Sequence, residues 1–521
     1  MANYNSGNTG AVIDAQIDKM EQVTSTAAEL NIMDGVTATT AELNMVNGAT
    51  AGTAVASKAL VVDANKDLSG IRNLIISGVI SAEPYYGVSW DESADSYTRT
   101  GDLAGWQAGV QSPLMNLPVH EEMKRCLLND DGTVNYFLDA DDSTLKADGT
   151  ASTLTGADGQ VMVQIPKFWY KYGYSGTTHT WEIASVPVDG FEVHPAFMKN
   201  GAEVDYRYIG AYEGVGYDNG TSAYFDGDDV GDTKTHWPGG TAIDTANDLL
   251  SSVSGYAPIV NETRAEFRAI ASNRGAGWRQ LDFDLVSAVQ LLYLIEYNDF
   301  DSQTQIGEGR TQLSGGSWAA GSYIGETGLS NSDGNGTNAV DYDGDADDAG
   351  AENAYMSYRG IENIYGNIWK FVDGITIDAT ADDEVTDIPI WVTNDDTEFA
   401  DTGNVGTNIL NLTNLGATDA GWSDTLEQIS RGFLPASVGA SDSTKITDYY
   451  WQYPDNGNDW RVFLLGGHAN HGSIAGVFCV RADNGSSFDY ADVGSYAGVF
   501  CVNATNASST DDVSVGSRLA R

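Results

Sequence analysis

The apolar residues of this chain fall mostly into short runs broken by Asn, Asp, Ser and Gly, a pattern of strands and turns. Val161, Val163 and Ile165 alternate with Met162, Gln164 and Pro166, as on a strand with one buried face. Two stretches have helical spacing instead. In residues 261–273, Thr263 stands as a cap and Phe267 and Ile270 share one face. Residues 284–297, DLVSAVQLLYLIEY, form a second and more apolar helix. The pattern predicts both helices on one side of an antiparallel sheet, an α+β layout.

The first 83 residues have a different grain. Ile13, Ile17 and Met20 recur at helical spacing within residues 1–21. So short a helix is not stable alone, and it docks on a partner or on sibling chains unless it is a frayed tail. Residues 23–35, VTSTAAELNIMDG, recur with small changes as residues 36–48, VTATTAELNMVNG, a period of 13. Thr26 with Glu29, and Thr39 with Glu42, fit capping boxes, and Asp34-Gly35 and Asn47-Gly48 are turn signals. A unit this small buries its apolar face only against neighbours or other chains. Strand-like runs at Ala59–Val62 and Leu74–Ile76 come next, the makings of a narrow β-rich neck. Pro84 marks a boundary, and residues 84–185 read as a β-rich module. Its Trp169, Tyr170, Tyr172 and Tyr174 fit either packing against the next domain or a platform for sugar. The expected segments are 1–21, 22–83, 84–185 and 186–521: a multidomain, β-rich chain with an α+β component.

The end of the chain holds a second, longer duplication. Residues 473–495 read SIAGVFCVRADNGSSFDYADVGS, and residues 495–517 read SYAGVFCVNATNASSTDDVSVGS, offset by 22. Each AGVFCV run favours a buried strand, and the Asn, Asp, Ser and Ala stretches between favour turns. Rigid strands carrying polar loops make a recognition surface. The candidate contacts are His468, Asn470, His471, Ser473, Arg481, Asp483, Phe488, Asp489 and Tyr490. Tyr496, Asn503, Thr505 and Asn506 are the matching set from the second copy.

Charge narrows the partners. Lys and Arg number 26 against 74 Asp and Glu, for a formal charge of -48. Nucleic acid and anionic membrane surfaces are poor partners for such a chain. Acidity suits solubility, and some acidic loops also suit a divalent cation. Asp341, Asp343, Asp345, Asp347 and Glu352 imitate a calcium loop, but Ala346 stands where that loop needs Gly; the alternative is a solvated acidic loop. No other cofactor is expected. Three Cys are too few for a disulfide framework; Cys479 and Cys501, at matching places in the two copies, read as small buried residues or as one disulfide. His468 and His471 lack a third ligand nearby for zinc. A phosphate-binding glycine loop and a Gly-x-Ser-x-Gly elbow are absent from the sequence, and no catalytic residues are assigned. The start of the sequence lacks a signal peptide, and no run is long enough for a membrane helix.

Three separated motifs carry a resemblance. Gly366, Asn367, Ile368, Trp369, Lys370, Phe371, Val372 and Asp373 resemble a Gly-Asn-Val-Trp-Glu-Trp-Val-Asp motif. Arg461, Val462, Gly466 and Gly467 match an Arg-Val-x-x-Gly-Gly pattern. Gly516 to Ala520 match a final Gly-x-Arg-Leu-Ala. Together they resemble the C-type-lectin-like, formylglycine-generating-enzyme-like fold. Phage receptor-binding proteins, including the major tropism determinant, use this fold. Gly275 to Arg279 resemble a further phrase of its enzymes. The next residues here, Gln280, Leu281, Asp282 and Phe283, depart from the enzymes' Pro-Thr-Glu-x-Glu-Trp, and no matching Cys arrangement occurs. The N-terminal repeat is similar to segments of phage fibre and spike proteins. The resemblance implies a virion fibre assembled in a host cytoplasm and released by lysis. It implies attachment to other virion proteins by the N-terminus, a homotrimeric neck, and a C-terminal C-type-lectin-like domain that binds a host-surface glycan or protein. A capsid-anchored head fibre with a mainly structural role is the alternative.

Overall fold

The computed structural model describes residues 10–21, scattered positions between 39 and 47, and residues 85–106, 117–199, 202–224, 243–260, 262–312, 324–342, 353–379, 389–411, 421–447, 449–452, 459–467 and 469. It also describes the strand residues 480–482, 502–503, 515–516 and 519–520. The chain divides into two compact units, residues 1–80 and 81–521.

In the first unit, helix α1 spans Gly10–Glu21 as its spacing predicts, with Val12 and Ile17 exposed. Asn47 lies in a turn. The predicted neck strands fall outside the described residues.

The second unit is mostly β-sheet, with short helices α2 (Pro118–Glu121) and α5 (Ser302–Ile306) and two longer ones, α3 (Arg264–Ser272) and α4 (Phe283–Tyr297). Helix α3 begins where its Thr263 cap predicts, and α4 begins at Phe283, one residue ahead of the predicted 284. Thr263 and Glu266 form a reciprocal capping box at α3, and Asp282 accepts from the Leu285 amide at α4. Helix α4 is apolar nearly all round, so it must be buried on every side. All fifteen of its residues are buried. It packs against strands Tyr86–Asp91, Thr178–Ala184, Trp369–Ala379 and Gly432–Val438.

Three sheets surround these helices. The first is antiparallel, in the order Ser96–Gly101, Tyr86–Asp91, Thr178–Ala184, Trp169–Ser175, Glu192–Val193. Here Trp181 packs on Phe300 and Phe433, and Tyr170 and Tyr172 pack against the same core. The aromatic residues of this stretch are therefore mostly packing residues, with only Tyr174 well exposed. The second sheet runs Arg279–Gln280, Leu519–Ala520, Tyr206–Gly210, Gln160–Pro166, Lys124–Leu128, Val134–Phe137. The third centres on Trp369–Ala379 paired antiparallel with Asp459–Leu465.

Two expectations are corrected. The helices do not share one side of a sheet. Phe371 meets Phe267 of α3, whereas Phe463 meets Phe283 of α4. Phe371 pairs with Leu464, and the adjacent Val372 pairs with Phe463. Successive strand residues face opposite ways, so α3 and α4 cover opposite faces of this strand pair. The strands are apolar on both faces, which is what allows it. Nor does residue 185 end a module. Gln160–Pro166 pairs with Tyr206–Gly210 along five residues, and one apolar core joins Val88, Trp181, Leu292 and Ile375. The boundary expected at the start of the 186–521 segment is overridden by long-range pairing.

Buried polar groups fasten the first sheet to α4. Arg99 donates from Nη1 to the Ile295 carbonyl and from Nη2 to the Glu296 carbonyl, each at 2.8 Å. His120 Nε2 lies 2.8 Å from the Leu292 carbonyl, which only accepts, so the proton sits on Nε2. Its Nδ1 then accepts from Tyr86 Oη at 3.0 Å.

This packing makes residues 81–521 one folding unit. Expressed alone, they should fold cooperatively, whereas residues 186–521, which lack the 160–166 strand and Arg99, should show neither near-ultraviolet dichroism nor a cooperative thermal transition. The buried histidines add a dependence on pH. Burial pushes the pKa of His120 down to about 4 and that of His194 down to about 3. Both are neutral in the fold and protonate near 6.5 once unfolded. The unfolded chain thus binds more protons below pH ~6.5, and the stability these groups supply is lost as pH falls toward 4. Burial also pushes Asp284 up to about 7, despite Arg431 beside it, which gives a slope of opposite sign between pH ~4 and ~7. Comparison with a His194→Gln chain isolates one histidine. Between pH 7.5 and 5, the natural chain should lose roughly 2 kcal/mol more than the variant in urea unfolding.

Candidate binding surface

The two duplicated segments meet. Val480–Ala482 of the first copy and Val502–Asn503 of the second pair in parallel, Val480 opposite Val502 and Arg481 opposite Asn503. Each pair differs by 22, the period of the sequence duplication, so equivalent residues stand side by side. Val502–Asn503 is also antiparallel to Leu464–Leu465, and Val480–Ala482 is parallel to Tyr450–Gln452. The copies therefore lie inside the third sheet, between Asp459–Leu465 and Tyr449–Gln452. Parallel strands leave a sheet in the same direction, so the chain leaves Ala482 and Asn503 at one end of it.

Of the thirteen candidate contacts, Arg481 and Asn503 belong to these strands, and the structure brings them together as backbone partners. His468, Asn470, His471, Ser473, Asp483, Phe488, Asp489, Tyr490, Tyr496, Thr505 and Asn506 lie outside the described residues, as do Cys479 and Cys501.

The three motifs converge around strand Trp369–Ala379. Asn367 holds a left-handed turn (φ 64°) ahead of strand Trp369–Ala379. Its side chain accepts from the Gly325 amide at 2.7 Å and donates to Glu213 at 2.5 Å. Lys370 stands where the resembling motif has Glu, and its Nζ lies 2.7 Å from Glu213 Oε1 and donates to the Gly366 carbonyl at 2.9 Å. Both charges are fully buried. A Cβ at Gly466 would come within 2.9 Å of the Ile364 carbonyl and 3.0 Å of Lys370 Cδ, so the second motif needs glycine there. Val515–Gly516 of the third motif pairs in parallel with Trp369–Lys370. Leu519–Ala520 pairs with Arg279–Gln280 of the Gly-Trp-Arg phrase. Asp373 closes the first motif with two hydrogen bonds from Arg268 of α3, at 2.6 and 3.0 Å, and one from Gln280 at 2.8 Å. These groups fix the strands that carry the duplicated surface.

Of the five acidic candidates for calcium, Asp341 is described, and its Oδ1 accepts from the Gly309 amide at 2.7 Å. Asp343, Asp345, Asp347 and Glu352 lie outside the described residues. Among the described residues no cluster of three or more His, Cys, Asp or Glu side chains could hold a metal ion. No described helix is long and apolar enough to cross a membrane.

A second concave feature escaped the sequence reading. Tyr217, Tyr224 and Tyr256 line a cleft of about 1170 Å³ with Asp130, Asp158 and Arg274. The signal was half present: Tyr217 and Tyr224 flank the Asp-Asn-Gly-Thr-Ser turn of a hairpin and pair across it. Tyr256 is too distant in sequence for any local pattern to include it.

No protein-family model matches the chain, and no curated protein matches it.

The Lys370–Glu213 pair yields a stability prediction. Lys370→Met leaves a buried carboxylate without its cation and should lower stability by about 3–5 kcal/mol in urea unfolding. Adding Glu213→Gln, which keeps an acceptor for Asn367, should restore much of that loss.

Proposed function

We propose that this chain is a fibre or spike protein on the surface of a phage particle and that its C-terminal loops bind a host-surface glycan or protein. The observation that carries this is the parallel pairing of the duplicated strands at the repeat spacing. Duplication set at that spacing doubles a loop surface without disturbing the sheet that supports it. Polar Asn, Ser and Asp loops with Tyr and Phe beside them make adaptable contacts on a rigid base, the physics of a paratope. The convergence of the three motifs on strand Trp369–Ala379 supports a C-type-lectin-like fold for this part of the chain. The N-terminal helix and repeats are the proposed attachment and trimerisation segments, and three copies would raise a weak contact to useful avidity. The part played is binding; no catalysis is assigned.

The test uses the full chain. Added in excess to susceptible bacteria, it should bind cells and slow adsorption of the particle that carries it. A folded Arg481→Ala, Asn503→Ala double variant should compete at least tenfold less well. If the folded natural chain neither binds nor competes, the receptor role fails. Labelling the N-terminus on intact particles then tests the capsid-anchored, structural alternative.

A further inference from the structure

We infer that the tyrosine-lined cleft is a second binding site, separate from the duplicated loops, and that it takes an uncharged saccharide. At about 1170 Å³ it exceeds the ~300–1,000 Å³ of typical small-molecule pockets. It therefore suits more than one sugar ring. Tyr217 and Tyr224 meet edge to face with centroids 4.9 Å apart, and Tyr224 and Tyr256 are tilted at 4.8 Å, so the three rings form a continuous ladder. All three are half-buried: anchored, yet accessible from the cleft. The C–H face of a pyranose is apolar and carries slight positive charge, which matches the negative face of an aromatic ring.

Sugar hydroxyls need fixed polar partners beside such rings, and other residues lining the same cleft supply them. Tyr136 donates to Asp158 Oδ2 at 2.8 Å, and Asn135 donates to the Asp158 carbonyl at 3.0 Å. These bonds hold the carboxylate in place and leave Oδ1 to accept from hydroxyl donors. Arg274 is spent on the wall itself. It donates to the Leu250 carbonyl at 2.9 Å, to Ser251 Oγ at 2.6 Å and to Asp130 at 2.9 Å. Its side chain is only 4% exposed, whereas that of Asp130 is 58% exposed. The loop at residues 155–159 closes on the rings through Gly156. That residue has φ 89°, and a Cβ there would sit 2.0 Å from Tyr224 Oη.

Charge sets the class of saccharide. Arg274 pairs with Asp130 at 2.9 Å, and Asp158 adds a carboxylate to the cleft without a cation in the lining to match it. The net field is negative, on a chain of formal charge -48. Uronic, sialylated and sulfated sugars meet repulsion there, and neutral hexoses and N-acetylhexosamines do not. The site is independent of the proposed receptor role of the terminal loops and can fail or hold without it.

The test is an array of immobilised neutral oligosaccharides of hexose and N-acetylhexosamine, with uronic, sialylated and sulfated counterparts, probed with the full chain at physiological salt. Binding should be confined to neutral members. Tyr256→Ala should weaken it at least tenfold. Ala157→Trp, which adds bulk at an exposed lining position without touching the core, should do the same with an unchanged thermal transition. Arg481→Ala with Asn503→Ala should leave it intact. Absence of binding to every neutral member overturns the site, as does binding that survives Ala157→Trp. Binding lost only in the repeat-strand variant would assign the saccharide to the terminal loops instead.

Discussion

The constraint on which the fold depends is the burial of α4 on every side. A helix leaves four amides and four carbonyls without internal partners, and a buried helix cannot leave them to water. Here distant segments supply the partners. Asp282 caps the amino end and pairs with Arg207. Arg99 closes the Ile295 and Glu296 carbonyls, and Asn298, in the left-handed conformation, returns its amide to Leu294. Glu296 is paired with Arg359 at 2.5 Å and accepts from Tyr358 at 3.1 Å. Burial opposes its charge, yet the Arg359 guanidinium, helped by the hydrogen bond from Tyr358, keeps its pKa below the ordinary value. Asp282 and Asn298 adjoin the helix, but Arg207, Arg99, Tyr358 and Arg359 come from distant parts of the chain, so α4 can be buried only when most of the compact unit is assembled.

That dependence ties the candidate surface to the core. Strand Trp369–Ala379 presents Phe371 to α3 and Val372 to the α4 side, and it carries the Asn367–Glu213–Lys370 cluster at its entry. Next to it lies Asp459–Leu465, and next to that the second copy of the duplicated strand. The described strands of the two copies are thus joined through Asp459–Leu465 to a strand pair packed on both faces.

The sequence was legible where structure is local. Thr263 with Glu266, and Asp282 ahead of a long apolar run, mark the starts of α3 and α4, because capping acts within one turn. The duplication announced two equivalent strands but not that they would pair, which the structure shows with Arg481 and Asn503 matched in register. Long-range pairing was not legible. Nothing near Gln160–Pro166 shows that its partner is Tyr206–Gly210, so local sequence does not exclude a boundary at residue 185. The two helices were assigned to one side of the sheet because the both-faced apolar character of Trp369–Ala379 goes unnoticed when the helices are read first. The tyrosine cleft was hidden for a similar reason. A hairpin unites Tyr217 with Tyr224, but tertiary packing alone adds Tyr256.

Charge distribution limits what either surface can bind. Among the described residues nine Lys and Arg side chains are buried, from a total of 26 in the chain, and ten Asp and Glu side chains are buried, from a total of 74. The buried charges nearly cancel, at nine positive against ten negative. The interior thus uses a large share of the cations as structural clamps, at Arg99, Arg125, Arg264 and Lys370 among others, and the buried groups among the described residues carry little of the formal charge of -48. An outer surface so depleted of cations repels polyanions over about a Debye length, ~8 Å at physiological salt. Recognition of the kind proposed would rest mainly on ring faces, hydroxyl and amide hydrogen bonds and close fit, the elements of the tyrosine cleft, with Arg481 the one Lys or Arg among the candidate contacts of the terminal loops.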